Sequence, residues 1–216
     1  MTDSGLLIVD KPQGVTSHDI VAAVRGALHM KRVGHAGTLD PMATGVLVVG
    51  FGNATRLLNV IVEHDKTYEA TIRLGQRTTT DDADGEIVST RPAPAMSREA
   101  LQAVVDAQFT GTIEQVPNTY SAIKINGQRA YDLARDGQEV RLKARPVTIH
   151  ELAVLDARPV LAAAVAEEPS GNSPERRTPG DDESSFGSVP VLDVDVCVTC
   201  SAGTYIRALA RDLGEA

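Results

Sequence analysis

Apolar and polar positions change their period several times along this chain, and each change marks an element. "GLLIVDKPQG" (Gly5 to Gly14) is a short apolar run closed by Pro12 and Gly14, which predicts a buried strand. Thr16 or Ser17 then caps a helix whose Ile20, Val21, Val24 and Leu28 share one face. "GVLVVGFG" (Gly45 to Gly52) is β-branched and bounded by glycine, predicting a second buried strand, and Leu57, Leu58, Ile61 and Val62 mark the next helix. "TYEATIRLG" alternates as a strand, "QRTTTDDADGEIV" is a polar loop, and apolar periodicity predicts a helix from about Ser97 to Phe109.

The second half continues in the same manner. "YSAIKINGQRAYDLARDG" places Asn126-Gly127 at a hairpin turn, ahead of a short helix stopped by Gly137. "EVRLKARPVTIHELAVLDAR" reads as extended. From about 159 to 189 the chain turns to Pro, Gly, Ser and acidic residues, with almost no large apolar side chain after Val165; this predicts a mobile insertion between two strands. "VLDVDVCVTC" alternates again, and "TYIRALARDLG" predicts a closing helix with Ile206, Leu209 and Leu213 inward and Arg207 and Arg211 one turn apart. Several consecutive strands are hairpin-linked, so the expected class is α+β: a mixed, largely antiparallel sheet flanked by helices.

Composition sets the limits. With 216 residues, 42% hydrophobic and 23% charged, the chain can bury a substantial core. No apolar run approaches the roughly 20 residues needed to span a bilayer, and "MTDSGLLIVDKP" lacks a secretory leader's basic start, so the cytoplasm is the expected location. A net charge of -8 argues against a protein that simply coats nucleic acid. Much of that acidity falls in "AEEPSGNSPERRTPGDDESSFGS", however, while Arg25, His29, Lys31, Arg32 and His35 gather just ahead of Asp40.

Four short patterns invite chemistry. "CVTC" lies on a strand, where residues three apart point to opposite faces, and no second Cys/His pair completes a zinc site; Cys197 and Cys200 are expected to be buried structural thiols. A calcium loop through Asp82, Asp84 and Gly85 would need carboxylates where Thr80 and Arg91 stand, so no metal is expected. "GFGNAT" follows an apolar run as a dinucleotide loop would, but its third position is Thr55, and Glu69 lies near the start of the next strand where an acidic residue should end it. Asp40 sits in an ordinary "LDP" turn, in the company of His35, Gly34, Gly37 and Gly45 and the upstream basic group.

"GHAGTLDPMATGVL" resembles the signature loop of the bacterial synthases that convert the uridine at position 55 of tRNA, in the T loop, to pseudouridine. Five further blocks follow the family's order: "DKPQGVTSHD", "KTYEA", "LGQRTTTDDADG", "YSAIKINGQRAYDLARDG" and "CSAGTYIRALARDLG". The resemblance covers nearly the whole chain except 159 to 189, and implies one catalytic domain over 1–216 interrupted by that insertion. Relatives continue past "RDLGEA" into a segment bearing leucine and arginine and then a small RNA-binding domain, neither of which this sequence contains.

The resemblance implies cleavage of an N-glycosidic bond, rotation of the base and rejoining through carbon 5, with no cofactor or metal. Asp40 is then the catalytic carboxylate. An aspartate in water ionises at about pH 3.9, so it needs no base at neutral pH, and a guanidinium can hold it charged and oriented. The family arginine falls at Arg207. Tyr68 matches the tyrosine packed on the target base, Tyr205 a second pocket tyrosine, and His35 the histidine set where the flipped base has left. Lys11, Arg25, Lys31 and Arg32 are expected at phosphates, which position RNA without reading its sequence. The implied partner is the T arm of tRNA, with no membrane, no obligate protein partner and a monomer favoured. The competing reading is an RNA-binding or remodelling module that holds the arm without turnover.

Overall fold

The computed structural model describes residues 3–118, 142–165 and 187–216, with the strand pair Lys124–Ile125 and Gln128–Arg129 between them. It divides into two compact units, Met1–Asp65 and Lys66–Ala216.

The first unit holds strands β1 (Gly5–Lys11), β2 (Val33–Ala36) and β3 (Gly45–Phe51) in the order β1-β3-β2, with helix α1 (Ser17–Leu28) and the short helix α2 (Leu58–Val62). Both strand pairings are antiparallel. Helix α1 begins where the sequence provides a capping box: Thr16 accepts from the Asp19 backbone, and the Asp19 carboxylate accepts from the Thr16 backbone. The Thr16 bonds hold the Asp19 carboxyl below its ordinary value. Val21, Val33, Leu47 and Val49 form the core.

Strand β1 is not the buried strand expected. Its register puts Leu7 opposite Val49, where it is still exposed, and turns Leu6 and Ile8 to the face that carries Val46; Ile8 and Val46 are 68% and 70% exposed. Composition announced a strand, but pairing register decides which face is covered. Leu28, expected on the buried face of α1, is also exposed.

The second unit is built on an antiparallel sheet in the order β4-β11-β10-β7, from β4 (Lys66–Leu74), β7 (Gly111–Gln115), β10 (Arg145–Ala163) and β11 (Ser188–Cys200). Helices α3 (Arg98–Gln108) and α4 (Ile206–Glu215) contribute Leu101, Val105, Leu209 and Leu213 to its core, against Val194, Val196 and Val198 of β11. Helix α3 stands where periodicity predicted one, and Ser97 caps it by accepting from the Ala100 N–H. The opposite face of the sheet carries Arg73 on Asp193 at 2.7 Å, Thr71 on Asp195 at 2.6 Å, and Arg158 on Asp195. Cys197 lies on this polar face, half-buried, whereas Cys200 is buried in the core: opposite faces, but only one fully enclosed thiol.

Strands β5 (Gln76–Thr78) and β6 (Ile87–Thr90) pair around the polar loop, and β8 (Lys124–Ile125) pairs with β9 (Gln128–Arg129) in a two-residue hairpin register. The turn at Asn126-Gly127 and the short helix expected before Gly137 lie outside the described residues. The ends of the acidic segment are strand: Ala163 pairs with Ser188 and Pro159 with Leu192, leaving 166–186 outside the described residues. The class is α+β as the pattern implied, although every described pairing is antiparallel rather than mixed.

Candidate active site

Asp40 is half-buried in the loop from β2 to β3, and its backbone is fastened on both sides. Gly37 and Gly45 take φ values of +85° and +103°, which let the chain leave β2 and enter β3 sharply. The Asp40 carbonyl accepts from the Ala43 N–H at 3.0 Å, closing the turn. Ahead of it, the Ser17 hydroxyl accepts from the Leu39 N–H at 3.0 Å and donates to the Leu39 carbonyl at 3.2 Å. Behind it, the Pro41 carbonyl accepts from the Gly14 N–H at 2.8 Å and from Lys11 Nζ at 3.2 Å.

Lys11 is therefore no phosphate contact. It is 0% exposed and its ammonium donates to three carbonyls, those of Pro12, Val15 and Pro41, which uses all three protons. Arg25, Lys31 and Arg32 are exposed. Arg25 donates to the Val33 carbonyl at 3.0 Å, and Arg32 reaches Thr55 and Asn53, each at 2.9 Å. Those bonds fix the two guanidiniums beside β2, while Lys31 stays a solvated cation of the kind that meets a polyanion.

His35 is half-buried on β2, and its Nδ1 donates to the Gly37 carbonyl. The exposed His18 packs edge-on against it, with ring centroids 5.6 Å apart.

The dinucleotide alternative loses its footing here. Strand β3 runs into a 3₁₀ turn over Gly52–Arg56 instead of a helix N-terminus, within an antiparallel sheet. Its glycines are there for packing: a Cβ on Gly52 would lie 2.4 Å from the Asp3 carbonyl oxygen, and one on Gly50 would lie 3.0 Å from Leu58.

In the second unit, Tyr205 caps α4 just after Gly203, whose φ of +84° turns the chain. Gln115, 0% exposed, holds both polar groups of the Tyr205 backbone: it accepts from the N–H at 2.8 Å and donates to the carbonyl at 3.1 Å. The Arg145 guanidinium lies 4.9 Å from the centre of the Tyr205 ring and donates to the Gly203 carbonyl at 2.7 Å. Tyr68, on β4, packs half-buried against the core.

At the second position of α4, Arg207 Nη1 donates to the Thr80 carbonyl at 3.0 Å and pairs with Asp82 at 3.2 Å. Asp82, weighed as a calcium ligand and then read as part of a polar loop, is an ion-pair partner of Arg207. The neighbouring Asp81 has a φ of +56° and accepts from Asn118 and from Arg211 at 3.5 Å, while Arg211 also donates to the Val116 carbonyl at 2.8 Å. Each arginine of α4 thus contacts the loop that carries Asp81 and Asp82, and Arg211 also bonds Asp212 at 2.7 Å. Asp82, Ser17, Gln115 and Arg145 were not anticipated as site residues; only Asp82 and Ser17 fell in blocks that the motif comparison had marked.

Residues 25–170 match the TruB family pseudouridylate synthase (N terminal domain). The chain is 58% identical over 238 residues to tRNA pseudouridine synthase B of Bifidobacterium longum (strain DJO10A), covering 99% of this chain and 59% of that protein. It is 54% identical to the protein of that name from Thermobifida fusca (strain YX), with 97% and 63% covered. It spans about 59–63% of the length of the curated relatives it matches. Among solved structures, a chain of a Cbf5–Nop10–Gar1 complex superposes with a TM-score of 0.61 at 25% identity, covering 98% of this chain and 44% of that one.

Proposed function

Because the chain belongs to the TruB family of pseudouridylate synthases, we propose that it isomerises a uridine in the T loop of tRNA, at position 55, to pseudouridine. The observation that carries this reading is the mounting of Asp40, a half-buried residue whose neighbours Leu39 and Pro41 have their backbones fixed by two buried polar side chains, Ser17 and Lys11.

Asp40 acts as the nucleophile on the sugar or base. The N1–C1′ bond of the uridine breaks, the base turns, a C5–C1′ bond forms, and the C5 proton leaves to water as N1 gains one. Atoms balance without an external oxidant or reductant, and the family reaction uses no cofactor or metal. Extruding the base costs a few kcal/mol of stacking, which contact with a tyrosine ring offsets. Tyr68 and Tyr205 take that part, His35 stacks into the vacated position, and Arg207 supplies the guanidinium. Exposed Arg25, Lys31 and Arg32 meet phosphates of the T arm. The protein works as a monomer in the cytoplasm. No helix of the described residues is long and apolar enough to cross a membrane.

The test is release of tritium from tRNA carrying 5-tritiated uridine, comparing the protein with its Asp40→Asn variant. Release that depends on Asp40 and maps to the T loop supports the enzyme. Binding of tRNA without release by either protein would instead identify a module that holds RNA.

A further inference from the structure

Ser17 is the first residue of α1 and is 2% exposed. A serine at a helix start ordinarily serves as a cap, but that duty already belongs to Thr16, which bonds the Asp19 backbone and receives the Asp19 carboxylate in return. The Ser17 hydroxyl is turned away from its own helix toward a residue 22 positions on. It has one proton and two lone pairs, so accepting the Leu39 N–H and donating to the Leu39 carbonyl are compatible at once.

The consequence lies in which peptide groups are held. The Leu39 N–H belongs to the peptide joining Thr38 to Leu39, and the Leu39 carbonyl to the peptide joining Leu39 to Asp40. Fixing both planes fixes the two rotatable backbone bonds of Leu39, and with them the point from which Asp40 departs. On the far side, Gly14 and Lys11 fix the Pro41 carbonyl.

We propose that Ser17 is a positioning residue for Asp40: by locking the peptide that carries it, the hydroxyl sets the direction of the carboxylate toward the reacting uridine. This rests on the catalytic reading of Asp40. Displacing a reacting group by about 1 Å can cost on the order of a hundredfold in rate, so loss of one hydroxyl should be visible in kcat.

The experiment compares four variants with the wild-type protein for tritium release, tRNA binding and melting temperature. Ser17→Ala should lower kcat by about tenfold or more, with the tRNA dissociation constant unchanged within about twofold. Ser17→Cys, close in size but a weak hydrogen-bonding group, should fall between the two and carries the test if the alanine variant does not fold. Thr16→Ala removes the helix cap without touching the loop; it should lower the melting temperature and leave kcat in place at temperatures well below melting. A folded Ser17 variant with wild-type kcat, or an equal kcat loss in Thr16→Ala, overturns the proposal. The fourth variant, Asp40→Asn, separates the two readings: if it turns over like the wild type, the catalytic role of Asp40 is wrong and the Ser17 proposal falls with it, whereas its inactivity beside a fully active Ser17→Ala sinks Ser17 alone.

Discussion

Arg207 and Asp82 form an ion pair at 3.2 Å, with only 14% and 10% of their side chains exposed. Screening by water is slight at that depth, and a charge left without its partner there is expensive. The same arginine donates to the Thr80 carbonyl, so one guanidinium ties both the charge and the backbone of the loop to α4.

Asp82→Asn keeps the shape and removes the charge. Breaking a buried pair from one side costs about 3 kcal/mol, so the variant should melt lower than the wild type. Turnover should fall by more than tenfold, because Arg207 loses the carboxylate that holds it. Arg207→Lys should also lose turnover, since a compact ammonium lacks the planar guanidinium whose Nη1 reaches both Thr80 and Asp82. Wild-type kcat in Asp82→Asn would separate Arg207 from the reaction.

The Arg73–Asp193 pair gives stability a pH dependence of known sign. Hydrogen bonds from Arg73 depress the Asp193 carboxyl, with burial opposing. A depressed carboxyl binds fewer protons folded than unfolded, so its contribution is present above the unfolded value of about 3.9 and disappears as pH falls through the lower folded value. Arg73 is 45% exposed, which limits the pair to the order of 1 kcal/mol. In urea titrations, Asp193→Asn should be less stable than wild type by that amount at pH 7, and the gap should close on acidification. A gap unchanged down to pH 3 would show that the ion pair is not its source.

What the sequence made legible was local. The Thr16 cap and the helix following Ser97 carry their signals within a few residues. Burial and pairing did not. Lys11 looks like any loop cation until its three carbonyl partners are seen, one of them 30 residues away. Gln115 has nothing around it to announce Tyr205, 90 residues on. The face of β1 that carries Leu6 and Ile8 was misjudged because an apolar run does not state its register. Asp40 was singled out through the company of its motif, since an Asp-Pro turn by itself is ordinary.

Gln115 supplies a test within the second unit. Gln115→Leu leaves the Tyr205 N–H without its partner, at about 1–3 kcal/mol, while the Tyr205 carbonyl keeps only the Leu209 N–H at 3.0 Å. Gln115→Glu keeps the acceptor for the N–H but replaces the donor to the carbonyl with an oxygen. Both should melt lower, and the glutamate variant should also recover stability as pH falls and its carboxyl protonates, because the protonated group can donate again. A glutamate variant whose melting point is flat between pH 7 and pH 4 would mean that the Tyr205 carbonyl bond contributes nothing.

The different fates of two lysines can be read from salt dependence. Each phosphate neutralised by a cation releases counterions, so the logarithm of tRNA affinity falls with the logarithm of salt in proportion to the contacts made. Lys31 is exposed, and Lys31→Ala should weaken tRNA binding and reduce the magnitude of that slope by about one. Lys11 spends its protons on Pro12, Val15 and Pro41 inside the fold, so Lys11→Met should lower the melting temperature and leave the slope of the folded protein unchanged. A slope that drops in Lys11→Met as it does in Lys31→Ala would return Lys11 to the RNA surface and contradict its burial.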